Sequence, residues 1–229
     1  MANGNSVDPR KLIAEMVGTF ALIFIGVSSV IAFGDDIVAV ALAHGLAIAL
    51  LVSSIGHVSG GLFNPALTLG LWVTQRLDTI NTVLYIAAQL VGSVLGALAL
   101  VVLYPETLRD LADLGTPTLN GVTHVQGLGI EGILTVFLML AVFGKILDKR
   151  GPNIGGFGIG LVLTMDILAG GHFTGAAMNP ARAFGPALVN MSWDYHLVYW
   201  IGPILGAVFA ALLYHYVFSD DQAEVGSIV

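Results

Sequence analysis

Long apolar stretches, separated by short polar or glycine-rich joints, run almost from end to end of this chain. They fall at about 11–33, 37–56, 80–104, 127–147, 155–171 and 196–218. Each is close to the ~20 residues that a helix needs to cross a bilayer. A helix also satisfies its own backbone hydrogen bonds in lipid. Two shorter apolar runs remain, at about 64–75 and 179–190. At ~1.5 Å per residue, a run of about 12 residues reaches only about halfway across. Both runs begin alike. Gly60-Gly61-Leu62-Phe63 leads into Asn64-Pro65-Ala66, and Gly175-Ala176-Ala177-Met178 leads into Asn179-Pro180-Ala181, 115 positions later. Asn is a strong N-cap residue, and Pro suits the first helical position, where its missing N–H would have no helical partner. The pattern predicts six spanning helices and two half-helices, each opening on Asn-Pro-Ala.

The two halves of the chain match. Ala14-Glu15 and Thr19 in the first span correspond to Ile130-Glu131 and Thr135 in the fourth. Glu15 precedes Asn64 by 49 residues, and Glu131 precedes Asn179 by 48. Each half therefore holds three spans, with a half-helix between its second and third. Three is odd, so the halves insert with opposite topology. Inverted repeats with broken helices place a site at the bilayer midplane, on the repeat interface. The repeats run about 11–104 and 127–218 within one channel domain of residues 1–229, joined by an outer loop of about 105–126. Pro105, Gly115, Pro117, Asn120 and Gly121 mark that loop as turns rather than helix.

Composition narrows the class. The chain is 56% hydrophobic and 10% charged, against roughly 25% charged in a soluble domain, so most of it faces lipid or its own interior. A net charge of −7 argues against a nucleic-acid partner. There is no Cys, and so no disulfide framework or thiolate chemistry. No cleavable signal is expected, because the first apolar run starts near Leu12 and is too long for a signal core. Lys and Arg set the orientation. Arg10, Lys11, Arg76, Lys145, Lys149 and Arg150 fall on one side of six alternating spans, and only Arg109 on the other. The positive-inside bias then puts both termini in the cytoplasm. The cell membrane is expected ahead of the vacuole.

A duplicated Asn-Pro-Ala, six spans and Arg182 after the second copy together resemble the aquaporin, or major intrinsic protein, family, from about Lys11 to Phe218. Within it the chain is most similar to the tonoplast intrinsic branch. The similarity lies in Ile167-Leu168-Ala169-Gly170-Gly171, Met178-Asn179-Pro180-Ala181, Phe184-Gly185-Pro186 and His196-Leu197-Val198-Tyr199-Trp200. The resemblance implies an all-α membrane protein of aquaporin-like fold, a homotetramer with one pore per protomer, no cofactor, and a passive channel for water. It also implies ammonia or other small neutral solutes as further permeants, with protons and ions excluded. It assigns a selectivity filter to His44, Ile167, Ala176 and Arg182. It assigns Glu15 and Glu131 to bracing the half-helix loops. Glycerol-passing relatives carry Asp after the filter Arg, where this chain has Ala183, so glycerol is disfavoured.

Physical chemistry gives these residues work to do. Each half-helix N-terminus carries roughly +0.5 charge, and two facing each other repel cations. The carboxamide N–H groups of Asn64 and Asn179 can hold a passing water while the side-chain oxygens cap the helices; capping alone is the plainer reading. Arg182 at membrane depth costs about 2.5–3.5 kcal/mol on insertion scales, which argues for a role. His44 is a filter residue or a hydrogen-bonded core histidine. An Ile167 wall is less polar than a His wall and penalises ammonia less. Packing or loop roles are expected for His57 and His172, and His124 is expected to reach toward Arg182. Asp166 is ambiguous. Phe63 and Met178 are expected as an apolar pore wall beside the Asn pair, with core packing the alternative. A bulky Phe63 there would narrow the pore, so a closed-pore junction or scaffold protein stays open. An inverted-repeat secondary transporter is the other alternative. An enzyme is not expected.

Overall fold

The computed structural model describes residues 7–34, 36–144 and 154–219. The helices are α1 (Pro9–Phe33), α2 (Ile37–Ser59), α3 (Pro65–Val73), α4 (Thr79–Leu103), α5 (Glu106–Leu111), α6 (His124–Val142), α7 (Phe157–Thr174), α8 (Pro180–Asn190) and α9 (Val198–Leu213). The last continues through a π-helical turn, Tyr214–Phe218. Six of them, α1, α2, α4, α6, α7 and α9 with its π turn, are long and apolar enough to cross a membrane. The half-helices α3 and α8 are 9 and 11 residues long. Polar side chains start many of the helices. Asp8, Asp36 and Asp78 accept from the first N–H groups of α1, α2 and α4. Thr123 and Gln126 form a capping box at α6.

The halves are built alike and then interlocked. In the first, α1 lies against α2 and α4; in the second, α6 lies against α7 and α9. Helices α2 and α7 join the halves. The half-helices exchange sides: α3 packs on α9 and α8 on α4. Between apolar helices in lipid there is no hydrophobic drive, so close approach through small residues takes its place. A methyl at Gly92 would collide with the Met16 carbonyl, one at Gly206 with the Gly132 carbonyl, and one at Gly160 with the Gly45 carbonyl. Gly96, Gly156 and Gly202 meet Phe20, Ala49 and Leu128 in the same way. All six glycines thus serve packing inside the chain.

The outer loop differs from expectation. Residues Glu106–Leu111 form a short helix, followed by a 3₁₀ turn at Asp113–Gly115. Pro105 and Gly115 bound this segment, while Glu106, Leu108, Arg109 and Leu111 between them are good helix formers. The breakers mark its ends and say nothing of its interior. Of the cations used for orientation, Lys145, Lys149 and Arg150 lie outside the described residues. Arg76 sits over the Phe143 ring at 4.9 Å and within 3.5 Å of the His215 ring nitrogen. The end of α3 therefore lies with the C-terminal ends of α6 and α9.

Candidate pore

Two buried glutamates organise the centre. Glu15 accepts from Ser59 Oγ (2.6 Å), the N–H of Leu62 (3.1 Å), the N–H of Phe63 (2.7 Å) and Gln89 Nε2 (2.7 Å). Glu131 accepts from Thr174 Oγ1 (2.7 Å), the N–H of Ala177 (3.0 Å) and the N–H of Met178 (2.6 Å). Tyr85 and Tyr199 donate to the carbonyls of Ser59 and Thr174 at 3.0 and 2.9 Å. The partners of one glutamate recur about 115 residues on as partners of the other. The backbone repeats as well. Gly60, Gly61 and Phe63 have φ of 98°, 65° and 48°, and Gly175, Ala176 and Met178 have 78°, 44° and 50°. Non-glycine residues in this region carry strain, and the glutamate hydrogen bonds hold them there. Sequence reasoning found the glutamates but not Ser59, Thr174, Tyr85, Tyr199 or Gln89. The first four were visible as further pairs at the repeat spacing; Gln89 has no mate, since Pro203 stands at the matching place.

The two Asn-Pro-Ala motifs meet. Asn64 Nδ2 donates to the Met178 carbonyl (2.8 Å), and Asn179 Nδ2 donates to the Phe63 carbonyl (2.9 Å). Each carboxamide oxygen caps its own half-helix, Asn64 through Ala66 N and Asn179 through Ala181 N and Arg182 N. That accounts for one N–H and the oxygen of each Asn. Both residues also line an inner cavity of about 30 Å³. At ~10–15 Å³ per water that is room for about two waters. The second N–H of each carboxamide is the donor left for them.

Phe63 and Met178 do not form the wall of this cavity. Both are fully buried, and the Phe63 ring fills the space where Gly18 of α1 has no side chain. The left-handed turn at each position points the side chain into the bundle. Leu62 and Ala177 line the cavity instead. The wall is otherwise mostly aliphatic, with Leu22, Ile48, Leu138 and Leu163 among its residues.

An outer cavity of about 220 Å³ opens beyond. His44, Ile167 and Arg182 line both cavities, so they stand at the neck between them. Ala176 lines the inner one. The His44 ring sits where a Cβ on Gly26 of α1 would be, and its Nδ1 lies 2.9 Å from the Val40 carbonyl. A carbonyl only accepts, so Nδ1 carries the proton and Nε2 is left as an acceptor. Arg182 Nη1 donates to the Gly115 carbonyl at 2.7 Å. His124 does not take that place; it stacks edge-on against Tyr195 at 4.9 Å. His172 lines the outer cavity, and its carbonyl accepts from Asn120 at 3.1 Å. His57 is exposed in the last turn of α2. Asp166 is buried, and neither carboxyl oxygen has a hydrogen-bond partner among the described residues.

The chain's likeness to known proteins runs over nearly its full length. The family model "Major intrinsic protein" matches residues 5–214. Aquaporin TIP4-4 of Zea mays is 45% identical over 221 residues, covering 90% of this chain and 85% of the relative. Aquaporin-8 of Mus musculus is 41% identical over 221 residues, covering 94% and 85%. The crystal structure of the aquaglyceroporin from Plasmodium falciparum superposes with a TM-score of 0.83 at 24% identity, over 92% of this chain and 96% of that one, and shares its fold. This chain belongs to the major intrinsic protein family, whose members are membrane channels for water or small solutes and not enzymes.

Proposed function

We propose that this chain conducts water in single file, passes ammonia as well, and excludes protons and ions. The observation that carries the reading is the neck at His44, Ile167 and Arg182, followed inward by the reciprocal Asn64–Met178 and Asn179–Phe63 bonds. A water between the two carboxamides faces two donors and no acceptor, so it turns its hydrogens outward. That orientation interrupts a proton wire, and the two half-helix dipoles repel cations. At the neck, His44 Nε2 accepts and the Arg182 guanidinium donates, while Ile167 adds an apolar side. Ammonia is held by one acceptor and slides past the isoleucine without a polar partner there. Glu15 and Glu131 brace the loops that aim the half-helices. The closed-pore alternative rested on Phe63 in the pore, and Phe63 lies against Gly18 instead.

We further propose a homotetramer with one pore per chain. A cell membrane draws no support from relatives that include tonoplast-type proteins such as Aquaporin TIP4-4. Stopped-flow light scattering on proteoliposomes tests the central claim. Osmotic shrinkage faster than that of empty vesicles is expected; shrinkage at the empty-vesicle rate would sink the water reading.

A further inference from the structure

The Arg182 guanidinium makes one hydrogen bond among the described residues, to the Gly115 carbonyl. Gly115 ends the 3₁₀ turn Asp113–Gly115 of the outer loop. That turn has an unusual backbone. Asp113, Leu114 and Gly115 all lie in the left-handed region, at φ of 47°, 48° and 64°. Two of the three are non-glycine, so the turn persists only where its surroundings over-determine it. One restraint is apolar: Leu114 is 1% exposed and packs with Ile23, Val27 and Leu100 of α1 and α4. The other is polar. The Asp113 carboxylate accepts from Asn190 Nδ2 at 2.5 Å and from Ser192 Oγ at 3.0 Å.

Asn190 is the last residue of α8, and Arg182 lies in its first turn. At ~1.5 Å per residue the two ends are about 12 Å apart. The turn therefore holds both ends of one half-helix, the start through Gly115 and the finish through Asp113. The Gly115 carbonyl reaches Arg182 only while the turn keeps its left-handed course. Releasing Asp113 leaves Leu114 as the main anchor and lets the carbonyl rotate, which frees the guanidinium to swing in the outer cavity that both Gly115 and Arg182 line.

We propose that Asp113 is a positioning residue for the Arg182 guanidinium, tying the strained turn that carries the Gly115 carbonyl to the far end of α8. The inference rests on the reading of Arg182 as a filter residue. It makes the outer loop a part of the selectivity device.

The test is the urea-to-water permeability ratio of reconstituted variants. Asp113→Ala is expected to raise the ratio about threefold, a modest change in relative barrier height. Asn190→Ala combined with Ser192→Ala removes the same bonds from the other side and is expected to do the same, which covers failure of Asp113→Ala to fold. Asp113→Asn keeps an acceptor for Asn190 and a donor for the Ser192 oxygen, and is expected to retain the wild-type ratio. In an Arg182→Ala background, Asp113→Ala should add nothing. A wild-type ratio in both Asp113→Ala and the Asn190→Ala, Ser192→Ala pair overturns the proposal, as does a full additive effect on top of Arg182→Ala. If Arg182→Ala alone leaves the ratio unmoved, the filter reading itself fails, an outcome distinct from failure of Asp113 alone.

Discussion

At the scale of single residues, the neck of the pore depends on a glycine as much as on the residues that face it. The His44 ring occupies the volume above Gly26, and a methyl there would strike Nε2. Gly26→Ala is therefore expected to push the imidazole toward the pore axis. Water permeability per folded chain is expected to fall several-fold, while the amount of folded protein changes little, as judged by size-exclusion profile and stopped-flow rate. An unchanged rate would mean that the ring has another place to go. The chemistry of the neck is tested by His44→Phe combined with Ile167→His. This removes the acceptor from α2 and puts a polar ring on α7, where the proposed ammonia path has an apolar wall. Ammonia permeability relative to water is expected to drop, read from internal-pH and osmotic assays on the same vesicles; an unchanged ratio contradicts the filter assignment. His44, Ile167, Ala176 and Arg182 were legible in the sequence only through the family resemblance, since nothing in their spacing says that they meet. Gly26 was not legible at all, because a glycine in an apolar helix carries no sign of which neighbour needs the space. Phe63 was misplaced for a related reason. Hydrophobicity does not tell pore from bundle; the positive φ at that residue does, and it belongs to the fold.

The elements are held by a symmetry that is close but not complete. Glu15 receives four donors and Glu131 three, the difference being Gln89 Nε2, which also donates to Thr68 Oγ1 at 2.9 Å. Replacing either glutamate by Gln turns one acceptor oxygen into a donor beside backbone N–H groups that, among the described residues, donate to that carboxylate. The cost is about 3 kcal/mol or more per site, and both variants are expected to unfold at lower temperature in detergent. Gln89→Ala removes one neutral partner from a carboxylate that keeps three others, and is expected to cost less than Glu15→Gln. An equal loss would show that Gln89, not the carboxylate, carries the loop. The long-range matching of these elements was the most legible part of the sequence: six spans, two half-helices and the repeat all follow from apolar run length and from Asn-Pro-Ala. Element ends were less so, because caps such as Asp8 and Asp78 sit three and two residues outside the apolar pattern. The short helix α5 was hidden between Pro105 and Gly115. The outer end of α9 adds a pH dependence. Burial holds His196 below its ordinary value of 6.5, and Trp200 Nε1 donates to its Nε2 at 3.0 Å. The unfolded chain therefore takes up a proton that the folded one resists. This stability is present above about pH 6.5 and is lost as the pH falls below it. The thermal midpoint is expected to drop between pH 7 and 5, and to drop less in His196→Gln; equal slopes would remove His196 from the account.

For the whole molecule the question is what two half-helices gain by coming from opposite halves of the chain. Each alone would be an Asn-capped helix end with a positive focus, a ready place for an anion. Here the ends are brought tip to tip and cross-bonded through Asn64 and Asn179, and both Asn residues line the inner cavity of about 30 Å³. On the proposed function, cations meet two repelling dipoles at once, and protons meet a water that faces two donors. On that same proposal, rejection of charge belongs to the pairing of the halves, whereas the choice among neutral solutes belongs to the neck. The two should separate experimentally. Arg182→Ala is expected to widen the range of neutral solutes while proton flux under an imposed pH gradient stays at the empty-vesicle rate. Asn64→Ala removes the cap from α3 and the bond to the Met178 carbonyl, and is expected to raise proton flux without admitting larger neutral solutes. Both fluxes are measurable on one preparation, with a pH dye inside and scattering outside. A proton leak from Arg182→Ala with none from Asn64→Ala would place charge rejection at the neck and reverse this division of labour.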